Sequence, residues 1–186
     1  MGKEAKTNAM RILDKNKISY EVLTYECDDF IDGLHTAAAT GAPVEQSFKT
    51  LIMQGKSKQY YVFVVPIADE VDLKAAARAV GEKSVEMTHV KDLTAISGYV
   101  RGGCSPLGMK KQYPTIVQEN AAHYDKIYIS GGLVGTTICL APDDLMKVVR
   151  AEYADVIVHV LDKENRSFYN LEHIWHDGKE IMRDDL

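Results

Sequence analysis

The residues best placed to do chemistry lie in one run, Tyr99-Val100-Arg101-Gly102-Gly103-Cys104-Ser105-Pro106-Leu107-Gly108-Met109-Lys110-Lys111. Paired glycines carry no Cβ, so a ligand can come close to the main chain and use its N–H groups as donors. Pro106 fixes one φ angle and stiffens the loop, which lowers the entropy lost on binding. A loop of this kind binds a phosphate, a carbonyl oxygen or an oxyanion, or else it is a plain structural turn, which composition alone makes the commoner outcome. A phosphate-binding P-loop fails on its functional residues. Gly103 and Gly108 have the required separation, but Met109 stands where the lysine belongs and Lys110 where a hydroxyl would hold magnesium. Cys104 acts as a nucleophile only if a base or a cation lowers its pKa. Arg101 is near in sequence but no histidine is local, so a buried thiol is the plainer reading.

Lys49, in Ser47-Phe48-Lys49-Thr50-Leu51-Ile52-Met53, is the second candidate. Strand alternation puts Lys49 on one face with Leu51 and Met53, so it either stands at a strand end or aims into a cavity. A surface lysine laying its stem over apolar neighbours is the alternative.

The elements that must position these residues can be read from pattern. With 186 residues, 46% apolar and 26% charged, the chain has the composition of one ordinary globular domain. That composition excludes a disordered chain, a collagen-like repeat and a disulfide-stapled mini-protein. No apolar run approaches the ~20 residues of a membrane span, and no apolar stretch follows the charged N-terminus as in a secretory signal. A cytoplasmic location and no membrane contact are expected. Thr7 to Asn16 predicts a helix, Ile18 to Tyr25 a strand, and Leu34 to Gly41 a short Ala-rich helix closed by glycine. Phe48 to Gln54 and Tyr60 to Ile67 predict a hairpin around Gly55-Lys56-Ser57-Lys58. Asp72 caps a helix over 73–80, a short strand spans 84–87, and Thr88 is expected to cap a helix to about Ala95. Lys126 to Ser130 and Thr136 to Leu140 predict a second hairpin, and Pro142 starts a helix expected to reach about Tyr153. Hairpins without helical crossovers give an α/β (α+β) domain with a mixed, mostly antiparallel sheet. The domain is expected over 1–160, with 161–186 as an extension of undetermined structure.

Charge narrows the partners. Residues 1–140 hold 16 Lys and Arg against 16 Asp and Glu, whereas residues 141–186 hold 6 against 11 and account for the formal charge of −5. Two segments, Ser47 to Tyr61 and Gly98 to Gln118, are basic and free of acids. They form a local anion-binding face or merely solvated surface. Binding to long DNA duplexes is not expected of so neutral a chain. Cys27, Cys104 and Cys139 are odd in number and widely spaced, and His173 and His176 lack further ligands nearby, so no metal site or other cofactor is expected.

Several of these segments, in order, resemble the bacterial YbaK/EbsC family of aminoacyl-tRNA editing deacylases, with nearest likeness to its Cys-tRNA(Pro) deacylases. The matching pieces include 15–20, Thr24-Tyr25-Glu26, Phe48-Lys49-Thr50-Leu51, Val71-Asp72-Leu73-Lys74, Ser84-Val85-Glu86-Met87, Gly98-Tyr99, the 102–108 loop with Lys110-Lys111, Pro114-Thr115-Ile116 and 127–132, and they span roughly residues 5–157. The resemblance implies a barrel-like sheet surrounded by helices, the fold of YbaK and of prolyl-tRNA synthetase editing domains. It implies a pocket for the aminoacyl 3' end of tRNA. In that pocket Lys49 contacts the tRNA terminus, Gly102 and Gly103 face the ester carbonyl, Tyr25 lines the wall, and Ser105 and Pro106 fix the loop. Phe30 aligns loosely with an aromatic pocket residue. Thr137 falls where close relatives carry an aspartate. No Ser-His-Asp triad is implied; in cysteine-specific members the substrate's own thiol attacks its ester, giving a thiolactone and free tRNA. Prolyl-tRNA synthetase is the implied partner. A deacylase for another misacylated tRNA such as Ala-tRNA(Pro), and a non-catalytic tRNA- or nucleotide-binding module, are the alternatives.

Overall fold

Capping chemistry and apolar alternation decide where each element begins and ends. The computed structural model describes residues 6–26 and 32–159. Phe30, Cys27, the two histidines at 173 and 176 and the whole 161–186 extension lie outside the described residues. Helix α1 (Asn8–Lys15) starts at Thr7, whose Oγ1 accepts from the Met10 N–H at 3.2 Å, and buries Ala9, Met10 and Leu13. Strand β1 (Glu21–Thr24) precedes α2 (Gly33–Thr40), which is capped by Asp32 and stopped by Gly41 at φ 71°. Strands β2 (Phe48–Gly55) and β3 (Tyr60–Pro66) form the expected antiparallel hairpin. Helix α3 (Leu73–Ala79) begins on Asp72, whose Oδ1 accepts from the Lys74 and Ala75 N–H groups. There follow β4 (Val85–Met87), α4 (Val90–Ser97), β5 (Thr115–Gln118), the hairpin β6 (Ile127–Ser130) with β7 (Thr136–Leu140), α5 (Pro142–Val149) and β8 (Glu152–Ala154).

The strands make two sheets. An antiparallel one runs β1-β7-β6, and a mixed one runs β4-β2-β3-β5-β8, with β3, β5 and β8 mutually parallel. A parallel bridge between Ser47 and Tyr128 joins them where β2 begins. The result is barrel-like in outline without being a closed barrel. One core fills the space between the sheets, drawing Phe48, Ile52, Val62 and Val64 together with Ile127, Ile129, Ile138 and Leu140. A second lies on the other face of the larger sheet, where Met53, Phe63, Val65, Ala76 and Val156 pack. Because β3 has a core on each side, its Tyr61–Pro66 run is buried throughout. This accounts for a strand that is apolar on both faces.

Three local expectations change. Thr88 does not cap α4. Its N–H continues the chain's pairing by donating to Ile52 O at 3.1 Å, so the cap moves on to His89, which makes no side-chain cap bond. Helix α5 stops at Val149 rather than near Tyr153, because Arg150 takes a left-handed conformation at φ 53° and turns the chain into β8. Strand β5, to which the local pattern gives no strand, is held by neighbours on both sides.

Candidate active site

A cavity of about 360 Å³ opens where the two sheets part. Strand β4 pairs with β2 only from Met53 onward, and beyond the Ser47 bridge β6 diverges from β2. The first half of β2 therefore presents an edge, and Lys49, Thr50 and Leu51 line the opening. Tyr128, Ile129, Ser130, Thr136 and Thr137 form the facing wall, α2 supplies a third through Gly33, Thr36, Ala37 and Thr40, and Arg101, Gly102 and Cys104 complete it from the glycine loop. The volume falls within the roughly 300–1,000 Å³ of small-ligand sites.

Lys49 is half-buried, and its ammonium donates to Asp69 O at 2.6 Å and Ile67 O at 3.2 Å. Burial pushes its pKa down, while the nearby Asp69 and Glu70 carboxylates pull it back up. The carbonyl pair fixes where the charge sits at the pocket wall. Both readings of the sequence pattern meet here, since Lys49 is near the start of β2 and also borders a cavity, sharing its face with Leu51 and Met53.

The glycine loop divides its labour. Gly102 has φ 83°, in the region where a side chain is strained, and lines the pocket. The Gly103 N–H is taken by Val100 O at 3.1 Å, closing a turn. A Cβ on Gly103 would stand 3.1 Å from Val134 N and 3.2 Å from the Leu133 carbonyl carbon, so this glycine lets the loop rest on the β6–β7 turn. Among the described residues nothing accepts from the Gly102 or Cys104 N–H groups, and both residues line the cavity. Ser105 is buried, with Oγ accepting from Leu107 N–H at 3.3 Å, and Pro106 lines a smaller cavity on the other side of the loop. The loop's far end is tied down by Tyr99, whose hydroxyl donates to Leu107 O, and by Asn8 Nδ2, which donates to Gly108 O at 2.8 Å.

The structure thus brings Tyr25, Lys49, Gly102 and Thr137 to one cavity and sets Gly103, Ser105 and Pro106 behind it. Tyr25 is oriented by a 3.3 Å hydroxyl contact with Thr36. Thr137, on β7, is buried at the register position opposite Leu23 and Ser130. Asp32 also borders the pocket, but its carboxylate already accepts from the His35 N–H and faces the His35 ring. Sequence reasoning did not single out Thr50 or Ser130. Thr50 Oγ1 is buried without a partner among the described residues, a signal that exists only in three dimensions.

The chemistry available follows from this inventory. Burial pushes the Cys104 thiol up to about 12, so it is protonated at neutral pH. Among the described lining residues there is no histidine to act as base. Nor do three of His, Cys, Asp or Glu gather to hold a metal ion among the described residues. What the described lining offers is the Lys49 ammonium, the Arg101 guanidinium, several hydroxyls and the main chain of the glycine loop, groups that bind and orient an oxygen-rich or anionic ligand.

A small α+β protein with a cavity lined by a lysine and a glycine loop is the class that fold and site define. Residues 34–148 match the family described as the aminoacyl-tRNA editing domain, and the chain belongs to that family. Its function is that of an aminoacyl-tRNA editing deacylase. The chain is 40% identical over 154 residues, covering 82% of itself and 94% of the relative, to the Enterococcus faecalis protein named "Putative Cys-tRNA(Pro)/Cys-tRNA(Cys) deacylase EbsC". The fold matches a solved structure described as a "putative trans-editing enzyme for prolyl tRNA synthetase", with TM-score 0.73 and 23% identity, over 84% of this chain and all of the other. A crystal structure of a hypothetical protein matches with TM-score 0.75 and 19% identity over 82% of this chain and all of its own. Among the described residues no helix is long and apolar enough to cross a membrane.

Proposed function

We propose that this protein clears cysteine from mischarged tRNA(Pro), acting on Cys-tRNA(Pro) as a separate chain. The observation that carries the reading is the pocket's composition: Lys49, Gly102 and Cys104 line one cavity, the last two with N–H groups unbonded among the described residues, and the described walls offer no activated nucleophile. A substrate that brings its own nucleophile suits such a site. The cysteinyl thiol loses its proton and adds to the ester carbonyl carbon, the amides stabilise the resulting oxyanion, and the C–O bond to the ribose breaks. The ribose oxygen takes up the proton that the thiol released, giving free tRNA and a cyclic thiolactone that water later opens. The protein's contribution is to hold thiol, carbonyl and departing ribose in line, with Lys49 steadying the tRNA end. The name of the 40% identical relative supports the same substrate.

Deacylation of a panel of aminoacyl-tRNAs by wild type and Lys49→Ala tests this. Loss of a charged hydrogen-bond donor should slow Cys-tRNA(Pro) cleavage about ten- to hundredfold, and Ala-tRNA(Pro), lacking a thiol, should be spared. Equal rates for the two proteins would reject the role of Lys49. Cleavage of the alanyl substrate as fast as the cysteinyl one would reject the thiol-dependent step. Binding of Cys-tRNA(Pro) without cleavage would leave a recognition module in place of an enzyme. We further propose that prolyl-tRNA synthetase is the partner that brings the substrate.

A further inference from the structure

Two large apolar side chains stand in solvent on loops that border the pocket. Val100 is 52% exposed and Leu133 is 57% exposed. Isolated apolar side chains on a surface are ordinary, but these two come from separate loops whose backbones touch. The Val100 carbonyl accepts from Gly103 N–H, and a Cβ on Gly103 would stand 3.3 Å from Leu133 Cα. Each loop also contributes to the pocket wall, one through Arg101 and Gly102 and the other through Ser130 and Thr136 on either side of its turn. The two loops meet again at Tyr99, whose ring would stand 3.1 Å from a Cβ on Gly132.

We infer that Val100 and Leu133 form an apolar rim that receives the nucleobase of the tRNA's 3'-terminal adenosine. The inference rests on reading the pocket as the aminoacyl site of a tRNA substrate. When the acyl group occupies the pocket, covalent connectivity leaves the terminal nucleoside at its mouth, because a single ribose separates the ester oxygen from the base. A purine presents a flat apolar face that loses water on meeting such side chains. All tRNAs end on the same adenosine, so a rim that reads a base face without hydrogen bonds serves them alike. Discrimination then falls to the acyl pocket.

The test is a thermodynamic cycle on binding, independent of turnover. Wild type and the Val100→Ser/Leu133→Ser double variant are each titrated at low salt with uncharged tRNA(Pro) and with the same tRNA lacking its terminal adenosine. Removing the adenosine should weaken wild-type binding about fivefold or more and the variant's less than twofold. Leu133→Phe, which offers a flat ring, should tighten binding of the complete tRNA only. Equal loss on adenosine removal in wild type and double variant, or tightening of both tRNAs by Leu133→Phe, would overturn the rim. Cleavage of Cys-tRNA(Pro), measured alongside, separates the two ideas. Cleavage with an additive cycle removes the rim and leaves the substrate assignment standing; no cleavage with a coupled cycle does the reverse.

Discussion

At Cys104 a thiol borders a cavity suited to an ester, yet its surroundings withhold the charge that would make it reactive. Burial raises its pKa from an ordinary 9.0 to about 12, which lowers the thiolate fraction at pH 7.5 by about a thousandfold. Site-resolved alkylation with iodoacetamide should therefore find Cys104 more than about tenfold slower than free cysteine. Labelling at the free rate would mean that the thiol is ionised and a candidate nucleophile. Lys49 is the counterpart, a charge kept at the wall by two backbone carbonyls. Its place at a cavity was legible because a lysine alternating with Leu51 and Met53 is chemically out of place. The glycine pair was equally legible as a loop, but not the division between its members. Which amide closes the turn and which makes no bond among the described residues depends on φ 83° at Gly102 and on the approach of residues 133–134, facts that no composition carries.

Among the elements, α2 and the segment after β3 hold each other in place. A Cβ on Gly33 would stand 2.8 Å from Cβ and Cγ2 of Ile67, whose carbonyl in turn anchors Lys49. Gly33→Ala should push α2 from its seat, costing about 1–3 kcal/mol in thermal or denaturant unfolding and raising KM for deacylation. An unchanged KM would show that α2 does not set the pocket wall. On the far side, Gln118 Nε2 donates to Asp155 at 3.0 Å, Gln118 Oε1 accepts from Val156 N–H at 2.8 Å, and His159 also reaches Asp155. Burial raises the Asp155 pKa, but the bonds from Gln118 and His159 outweigh it and hold the carboxyl below its ordinary value. The unfolded chain then takes up this proton first as pH falls. The stabilisation is complete above the ordinary carboxylate range and is lost as pH drops through the depressed native value. Unfolding followed between about pH 6 and pH 2 should show a shallower acid loss for Asp155→Asn than for wild type; parallel curves would remove Asp155 from the account. Caps and hairpins such as Thr7, Asp72 and the β2–β3 pair were readable because their partners are local. Strands β5 and β8 were not, since each is held by parallel neighbours distant in sequence.

For the molecule as a whole, the basic residues of the two acid-free segments do not gather into one broad face around the pocket. Lys49 and Arg101 line it, whereas Lys110 turns its ammonium to Ala95 O and Lys111 borders the smaller cavity. Few phosphates are neutralised in such an arrangement, so the logarithm of tRNA affinity should fall with the logarithm of salt at a slope no steeper than about −2. Titrations across a salt series decide this; a much steeper slope would place many more lysines on the RNA. Weak unaided binding agrees with the proposed delivery by a synthetase. One further consequence concerns synthesis on the ribosome. The Thr7 hydroxyl that caps the first helix also donates to Gly131 O at 2.6 Å, across 124 positions, and Asn8 reaches Gly108 O across 100. Helix α1 is thus anchored across the fold by loops made much later. While the nascent chain is short its apolar stripe of Ala9, Met10 and Leu13 has no lasting cover, and final assembly must wait until the second hairpin has left the exit tunnel.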